Sequence, residues 1–196
     1  IFIGSTWLLH VAYFVTLSRA YSRTDLSVAY PIARGTGLML IPLLGVTWLG
    51  ESISLAALTG VILILTGIVI LTWRGRFTTK FSSPGNLLRD SGARYALATG
   101  AIISIYSIVD KQAVQHVTPF LYMYFVASAG TIGMLPFLWR SFKRSDFTFE
   151  WRSHKISILV GGLLQFAAYG LVLTALETGR VSYIGPFRET GILFGI

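Results

Sequence analysis

The chain has 196 residues, of which 54% are hydrophobic and only 12% charged, about half the charged share of an ordinary soluble domain. So short a soluble chain could not hide that much apolar surface, so lipid is the expected solvent. The formal net charge of +8 is spread as basic clusters between apolar stretches, which is an orientation signal and not a nucleic-acid footprint. The absence of cysteine excludes disulfides, thiol nucleophiles and thiolate metal sites.

A membrane-crossing helix needs about 20 apolar residues. Seven candidates follow in chain order, at 1–20, 27–50, 53–73, 94–113, 119–139, 156–177 and 181–196, the last cut short. The tight link 51–52 makes 27–50 and 53–73 a helical hairpin. The longest polar link, 74–93, separates two halves, and a second basic link covers 140–155. Trp48, Trp73, Trp139 and Trp151 fall at or near span ends, where indoles favour the lipid–water boundary. Small residues inside spans, such as Gly60 and Gly67 or Ala127, Gly130 and Gly133, suit close helix approach or are ordinary lipid-facing positions. If every span crosses once, links 20–26, 74–93 and 140–155 with their flanks share one side and carry twelve Lys and Arg. Only Lys111 and Arg180 lie opposite. That bias places the basic side in the cytoplasm.

A proline motif occurs twice, as Tyr30-Pro31-Ile32-Ala33-Arg34-Gly35 and as Gly185-Pro186-Phe187-Arg188-Glu189-Thr190. Superimposing Pro31 on Pro186 aligns residues 1–41 with 156–196 without a gap; Leu8/Leu163, Leu9/Leu164, Ala20/Ala175, Ser27/Ser182 and Leu38/Leu193 are among the identities. Two related halves are a common plan for membrane transporters. Residues 1–73 then form the C-terminal part of a first repeat with three spans, and 94–196 the N-terminal part of a second with four. Completing both repeats calls for roughly 60 residues before Ile1 and roughly 30–40 after Ile196, so the chain is expected to be an internal piece of a longer protein.

Arg34 lies roughly 12 Å into its span by helical rise, and Arg188 and Glu189 lie at similar depth in the related one. A charge there costs at least about 2.5–3.5 kcal/mol on the insertion scale, so it faces a cavity or a partner unless it snorkels. Arg34 and Glu189 are repeat equivalents and are expected to face each other across a central cavity. Pro31 and Pro186 each remove a helical hydrogen bond, either freeing carbonyls toward a cavity or sitting harmlessly in a first turn. Tyr30, Arg34, Gly37 and Ile41 share one helical face, as do Tyr183, Phe187, Thr190 and Phe194; an aromatic face with a few polar groups suits a small organic ligand or plain helix packing. His10 and Gln165 are repeat equivalents in mid-span. Asp110, beside Lys111, is an interfacial charge or a coupling group. His10, His116 and His154 are scattered and form no metal-ligand cluster; no phosphate loop or nucleophile elbow is present.

Ala29-Tyr30-Pro31-Ile32-Ala33-Arg34-Gly35, then Leu49-Gly50-Glu51-Ser52 and the Gly60…Gly67 span, resemble the second part of an EamA domain. Val109-Asp110-Lys111, Ala175-Leu176-Glu177 and Pro186-Phe187-Arg188-Glu189 do likewise. The EamA family lies in the drug/metabolite transporter superfamily. The resemblance implies an all-α polytopic bundle of two inverted five-helix repeats, of which this chain holds helices three to nine. It implies a permease, often an exporter of metabolites, amino acids or drugs, and no prosthetic group. The expected partners are the lipid bilayer and a small-molecule substrate, with no nucleic acid and room for a homodimer. The expected location is the plasma membrane, the inner membrane in a bacterium. A membrane-embedded enzyme, a scaffold or a channel subunit are the other readings of the residues; no catalytic cluster supports the first.

Overall fold

The computed structural model describes residues 2–72, 88–141 and 144–190. These form seven helices: α1 (Phe2–Tyr21), α2 (Leu26–Leu49), α3 (Leu55–Thr72), α4 (Ser91–Ala113), α5 (Pro119–Ser141), α6 (Arg144–Thr178) and α7 (Val181–Glu189). No strand occurs among the described residues. Four stretches are long and apolar enough to cross a membrane: Leu26–Leu49, Ser91–Ala113, Pro119–Phe137 and Phe147–Thr178; Leu55–Ile68 is apolar but shorter. The chain is a helical, multi-pass membrane bundle. Polar positions Thr6, His10 and Thr16 dilute the apolar character of α1, and two of them, Thr6 and His10, are buried in the bundle.

Most of the expected links and spans match these helices within a few residues. The expected link 140–155 is different. It is helical from Arg144 and breaks only at His154, where φ is −129° and ψ 18°. Phe147 and Trp151, one turn apart, stack at 6.4 Å, an i,i+4 pair that favours helix over loop. Most of the long link, 73–87, and the end of the last span, 191–196 with Phe194, lie outside the described residues.

Helix ends explain where the elements stop. Gly50 ends α2 in the left-handed region at φ 66°, and its N–H donates to the Gly45 carbonyl, a closure that a residue without Cβ makes at least cost. The next residue, Glu51, turns back on the start of α7. Its Oε1 accepts from the Val181 N–H at 2.9 Å, and its Oε2 accepts from the Ser182 N–H at 2.9 Å and the Ser182 hydroxyl at 2.5 Å. A carboxylate there satisfies orphan donors and meets the positive end of the helix dipole. Arg180 reinforces the joint by donating to the Ser52 carbonyl at 2.8 Å. At the opposite end of the bundle Asp90 caps α4 through the Ala93 N–H at 2.9 Å, and Arg23 lies 4.8 Å over the Tyr95 ring. The 20–26 link and the start of α4 thus share one end; residues 51–54 and 180–183 share the other.

α4 is the central helix: α2 packs on it more extensively than any other pair packs, and one buried cluster joins it to Ile41 of α2, Tyr122 and Val126 of α5, Leu173 of α6 and Val181 of α7. Gly100 is the contact point: a Cβ there would lie 2.5 Å from the Ala33 carbonyl oxygen and 2.5 Å from the Thr36 Cβ. Gly133 plays the same part for α5 on Val11 of α1. Gly60 and Gly67 meet no neighbouring atom within 4 Å among the described residues, which fits the lipid-facing reading of these glycines; Leu58, Ile62 and Leu63 of α3 are exposed beside them. Gly100→Ala should therefore lower stability by about 1–3 kcal/mol, the cost of overpacking against backbone that cannot move aside. Gly60→Ala should be neutral or mildly stabilising. Thermal unfolding of both in detergent checks this, and equal melting would refute the Gly100 contact.

The outer surface is apolar. On α6, Ile156, Leu159, Leu163, Leu164 and Leu171 are exposed, as expected for a lipid-facing wall. Trp48 and Trp139 are exposed near helix ends, where the lipid–water boundary would hold them.

Candidate functional site

The central feature is a cavity of about 520 Å³, within the range of small-molecule sites. His10, Tyr13 and Phe14 of α1, Tyr30 and Arg34 of α2, and Tyr106 of α4 form one part of its wall. Met123, Val126, Ala127, Gly130 and Thr131 of α5 continue it. Gly162, Gln165, Phe166, Ala168, Tyr169 and Val172 of α6 close it together with Arg188 and Glu189 of α7.

α2 and α7 position the charges. Both begin at repeat-equivalent residues, Leu26 and Val181, so Pro31 and Pro186 are each in the second helical turn. The harmless first-turn reading of the prolines therefore does not apply; both helices run on through them. Arg34 and Glu189 meet, with Arg34 Nη1 at 3.2 Å from Glu189 Oε1. Arg188 donates its Nε to the same Oε1 at 3.2 Å. Glu189 is 3% exposed, while the side chains of Arg188 and Arg34 keep 16% and 27%. The Arg34 guanidinium also lies 5.5 Å over the Tyr30 ring, which adds a cation–π contact.

Four pairs of lining residues are separated by the repeat spacing: His10 and Gln165, Tyr13 and Ala168, Phe14 and Tyr169, and Arg34 and Glu189. Arg34 and Glu189, one of these pairs, are in contact.

Of the residues singled out in the sequence, Tyr30, Arg34, His10, Gln165, Arg188 and Glu189 line this cavity. Pro31 does not; it is half-buried in α2 beside the lining residues. Tyr183 and Thr190 also do not. α7 is turned so that Gly185 meets Ile41, where a Cβ would come within 2.5 Å, and so that Glu189 points inward. The Tyr183–Phe187 face consequently looks outward, with Phe187 75% exposed. Tyr183 instead accepts from the Ser54 N–H at 3.0 Å at the bundle end, and Thr190 donates back to the Phe187 carbonyl at 2.7 Å. On α2 the expected face divides: Tyr30 and Arg34 reach the cavity, while Gly37 and Ile41 are buried against neighbouring helices.

Asp110 is fully buried one layer behind the wall and is not the interfacial charge its sequence position suggests. Tyr122 donates its hydroxyl to Asp110 Oδ1 at 2.6 Å, and Tyr169 donates to Oδ2. Tyr122 also shares a hydrogen bond with the Thr6 hydroxyl. Lys111, the neighbouring cation, is engaged with the Leu176 carbonyl at 2.7 Å and does not neutralise Asp110. His10 stacks on Tyr106 at 4.8 Å and holds Nδ1 at 2.9 Å from the Thr6 carbonyl oxygen. Four helices thus converge on one acid, and Tyr169 joins it to the cavity. Tyr13, Tyr106, Tyr122 and Tyr169 were missed in the sequence; the usable signal was Tyr169, one turn after Gln165. No group of three or more metal-binding side chains occurs among the described residues.

Known proteins match the two parts of the chain differently. The EamA-like transporter family matches residues 90–196, and the Small Multidrug Resistance protein family matches residues 2–64. The chain is similar to the multidrug resistance protein EbrA of Bacillus subtilis (strain 168), with 35% identity over 60 residues, 31% of this chain and 57% of that protein. Its similarity to EbrA of Bacillus atrophaeus is 33% identity over 70 residues, 34% of this chain and 67% of that protein. The chain thus spans little more than half the length of the first of these relatives. No solved structure matches.

Proposed function

The chain belongs to the EamA-like transporter family, and from that premise we propose that it forms the substrate-carrying part of a secondary transporter. Substrate binds in the cavity between α1, α2, α5, α6 and α7, held by Arg34, Arg188, Glu189, His10, Gln165 and Tyr30. The observation that carries this reading is the pairing of lining residues at the repeat spacing. A site between related halves is the one place that rocking of one half on the other can open to either side. Residues 1–73 and 94–196 are then parts of two inverted repeats that move against each other. Asp110 is the coupling group, reached from the cavity through Tyr169.

The names of the multidrug resistance relatives support export of a drug-like or metabolite-sized molecule from the cytoplasm. The protein would act in the plasma membrane, the inner membrane in a bacterium, alone or as a homodimer. The test uses the complete reading frame overexpressed in cells, with internal and external metabolites profiled against an Arg34→Ala variant at equal membrane abundance. One class of metabolite should accumulate outside, and the variant should abolish that shift. Identical profiles for the two proteins would remove the cavity as a transport site, and a new chemical product would point to an enzyme.

A further inference from the structure

The charges on the cavity wall do not balance. Arg34 and Arg188 present two guanidiniums, and Glu189 is the one acid among the described lining residues. Glu189 is already shared: its Oε1 accepts from Arg34 and from Arg188 at 3.2 Å each. Asp110 stands behind the wall with both oxygens taken by Tyr122 and Tyr169. Glu189 Oε2 has a long contact of 3.5 Å to Arg34 Nη1, but its charge is already shared between two guanidiniums, so a cationic ligand would add to a positive surplus. A donor is left over instead. Arg188 Nη2 is buried and has no acceptor among the described residues. Buried polar groups are almost always hydrogen-bonded, and a charged donor left unpaired carries a desolvation penalty that a ligand acceptor would remove.

The rest of the wall is aromatic. Tyr13, Phe14, Tyr30, Tyr106, Phe166 and Tyr169 surround the charged corner and offer ring faces to an apolar body. We propose, resting on the transporter reading of this cavity, that its substrate is a small organic monoanion. Its carboxylate takes the free edge of the Arg188 guanidinium, and its apolar or aromatic body lies against the rings. One negative charge offsets the surplus of two guanidiniums over one carboxylate. Planar, forked donors favour a carboxylate over a point charge.

The test is calorimetric binding to the purified full-length protein in detergent. Three probes of matched shape are used: 3-phenylpropanoate, 3-phenylpropanamide and 3-phenylpropylamine. The carboxylate should bind about tenfold or more tighter than the amide, and the ammonium should bind weakest. Arg188→Lys, which keeps the charge but loses the fork, should erase at least about tenfold of that preference, with thermal melting measured alongside to establish folding. Arg188→Gln should remove the preference altogether; if it does not fold, the lysine variant decides. Tightest binding of the ammonium, equal binding of all three, no binding of the carboxylate, or a preference untouched by Arg188→Lys would each overturn the inference. Binding is read without transport. Selective carboxylate binding in a protein that moves nothing would sink the transporter reading and leave this one standing.

Discussion

Replacing Glu189 should be among the most damaging single changes in this protein. Glu189→Gln leaves Arg34 and Arg188 facing each other across the cavity with no counter-charge. Removing one member of a buried ion pair costs about 3–5 kcal/mol, because the surviving charge is stranded. The low end applies here, since Arg34 retains 27% exposure and water can screen part of its charge. Charge reversals test the geometry more sharply. Arg34→Glu sets two acids together, and Glu189→Arg sets three guanidiniums together; each should lower membrane abundance and melting temperature and abolish transport. The double reversal keeps the net charge and restores an attractive pair between α2 and α7. It should recover much of the stability, though not all, because Arg188 Nε then loses its acceptor. Abundance, melting and counterflow on the four proteins read this out. A double variant no better than its parents would mean that the pair is incidental to both fold and function.

That pairing was legible in the sequence because two simple signals agreed. Hydropathy is additive along the chain, so span boundaries at 27–50, 94–113 and 119–139 lie close to the helices α2, α4 and α5. The repeat spacing then carried position across the gap between halves, and the two charges it aligned, Arg34 and Glu189, meet. Helix rotation was not legible. A short helix such as α7 has two plausible inward faces, and the choice is made by what its neighbour tolerates. Gly185 lets Ile41 in, so Gly185 and Glu189 turn inward, and Tyr183 and Phe187 turn away. The role of Glu51 was hidden for the same reason. Its partners are backbone N–H groups at Val181 and Ser182, and main-chain donors leave no trace in residue identity. The tyrosines around Asp110 come from three helices, α4, α5 and α6, and only tertiary packing assembles them.

Asp110→Asn should uncouple the carrier while leaving it folded. The amide keeps the size of the acid and one carbonyl acceptor, so the bond from either Tyr122 or Tyr169 can persist. What it removes is the ability to take up and lose a proton. An acid held in a membrane interior without an ion-pair partner is expensive to keep charged, and proton exchange with the cavity is the available means of moving between states. On the proposed coupling role, the route is short: Tyr169 would hand its hydroxyl proton to Asp110 Oδ2 as it accepts one from the cavity side. The Tyr169 O–H bond breaks as an Asp110 O–H bond forms; a second Tyr169 O–H bond forms with the proton released by the cavity-side donor, so one proton passes from the cavity to Asp110. The titratable and charged groups facing this acid are His10 from α1, Tyr106 from its own helix, Tyr122 from α5, Tyr169 from α6 and Arg188 from α7. In proteoliposomes, an imposed pH gradient should drive uptake by the parent protein. It should drive none in Asp110→Asn, whose downhill exchange should persist and lose its dependence on pH. Tyr169→Phe should retain coupling but slow it by about tenfold or more, the usual scale for a lost proton-transfer group. Gradient-driven uptake that survives in Asp110→Asn and disappears in His10→Gln would move the coupling role to the histidine.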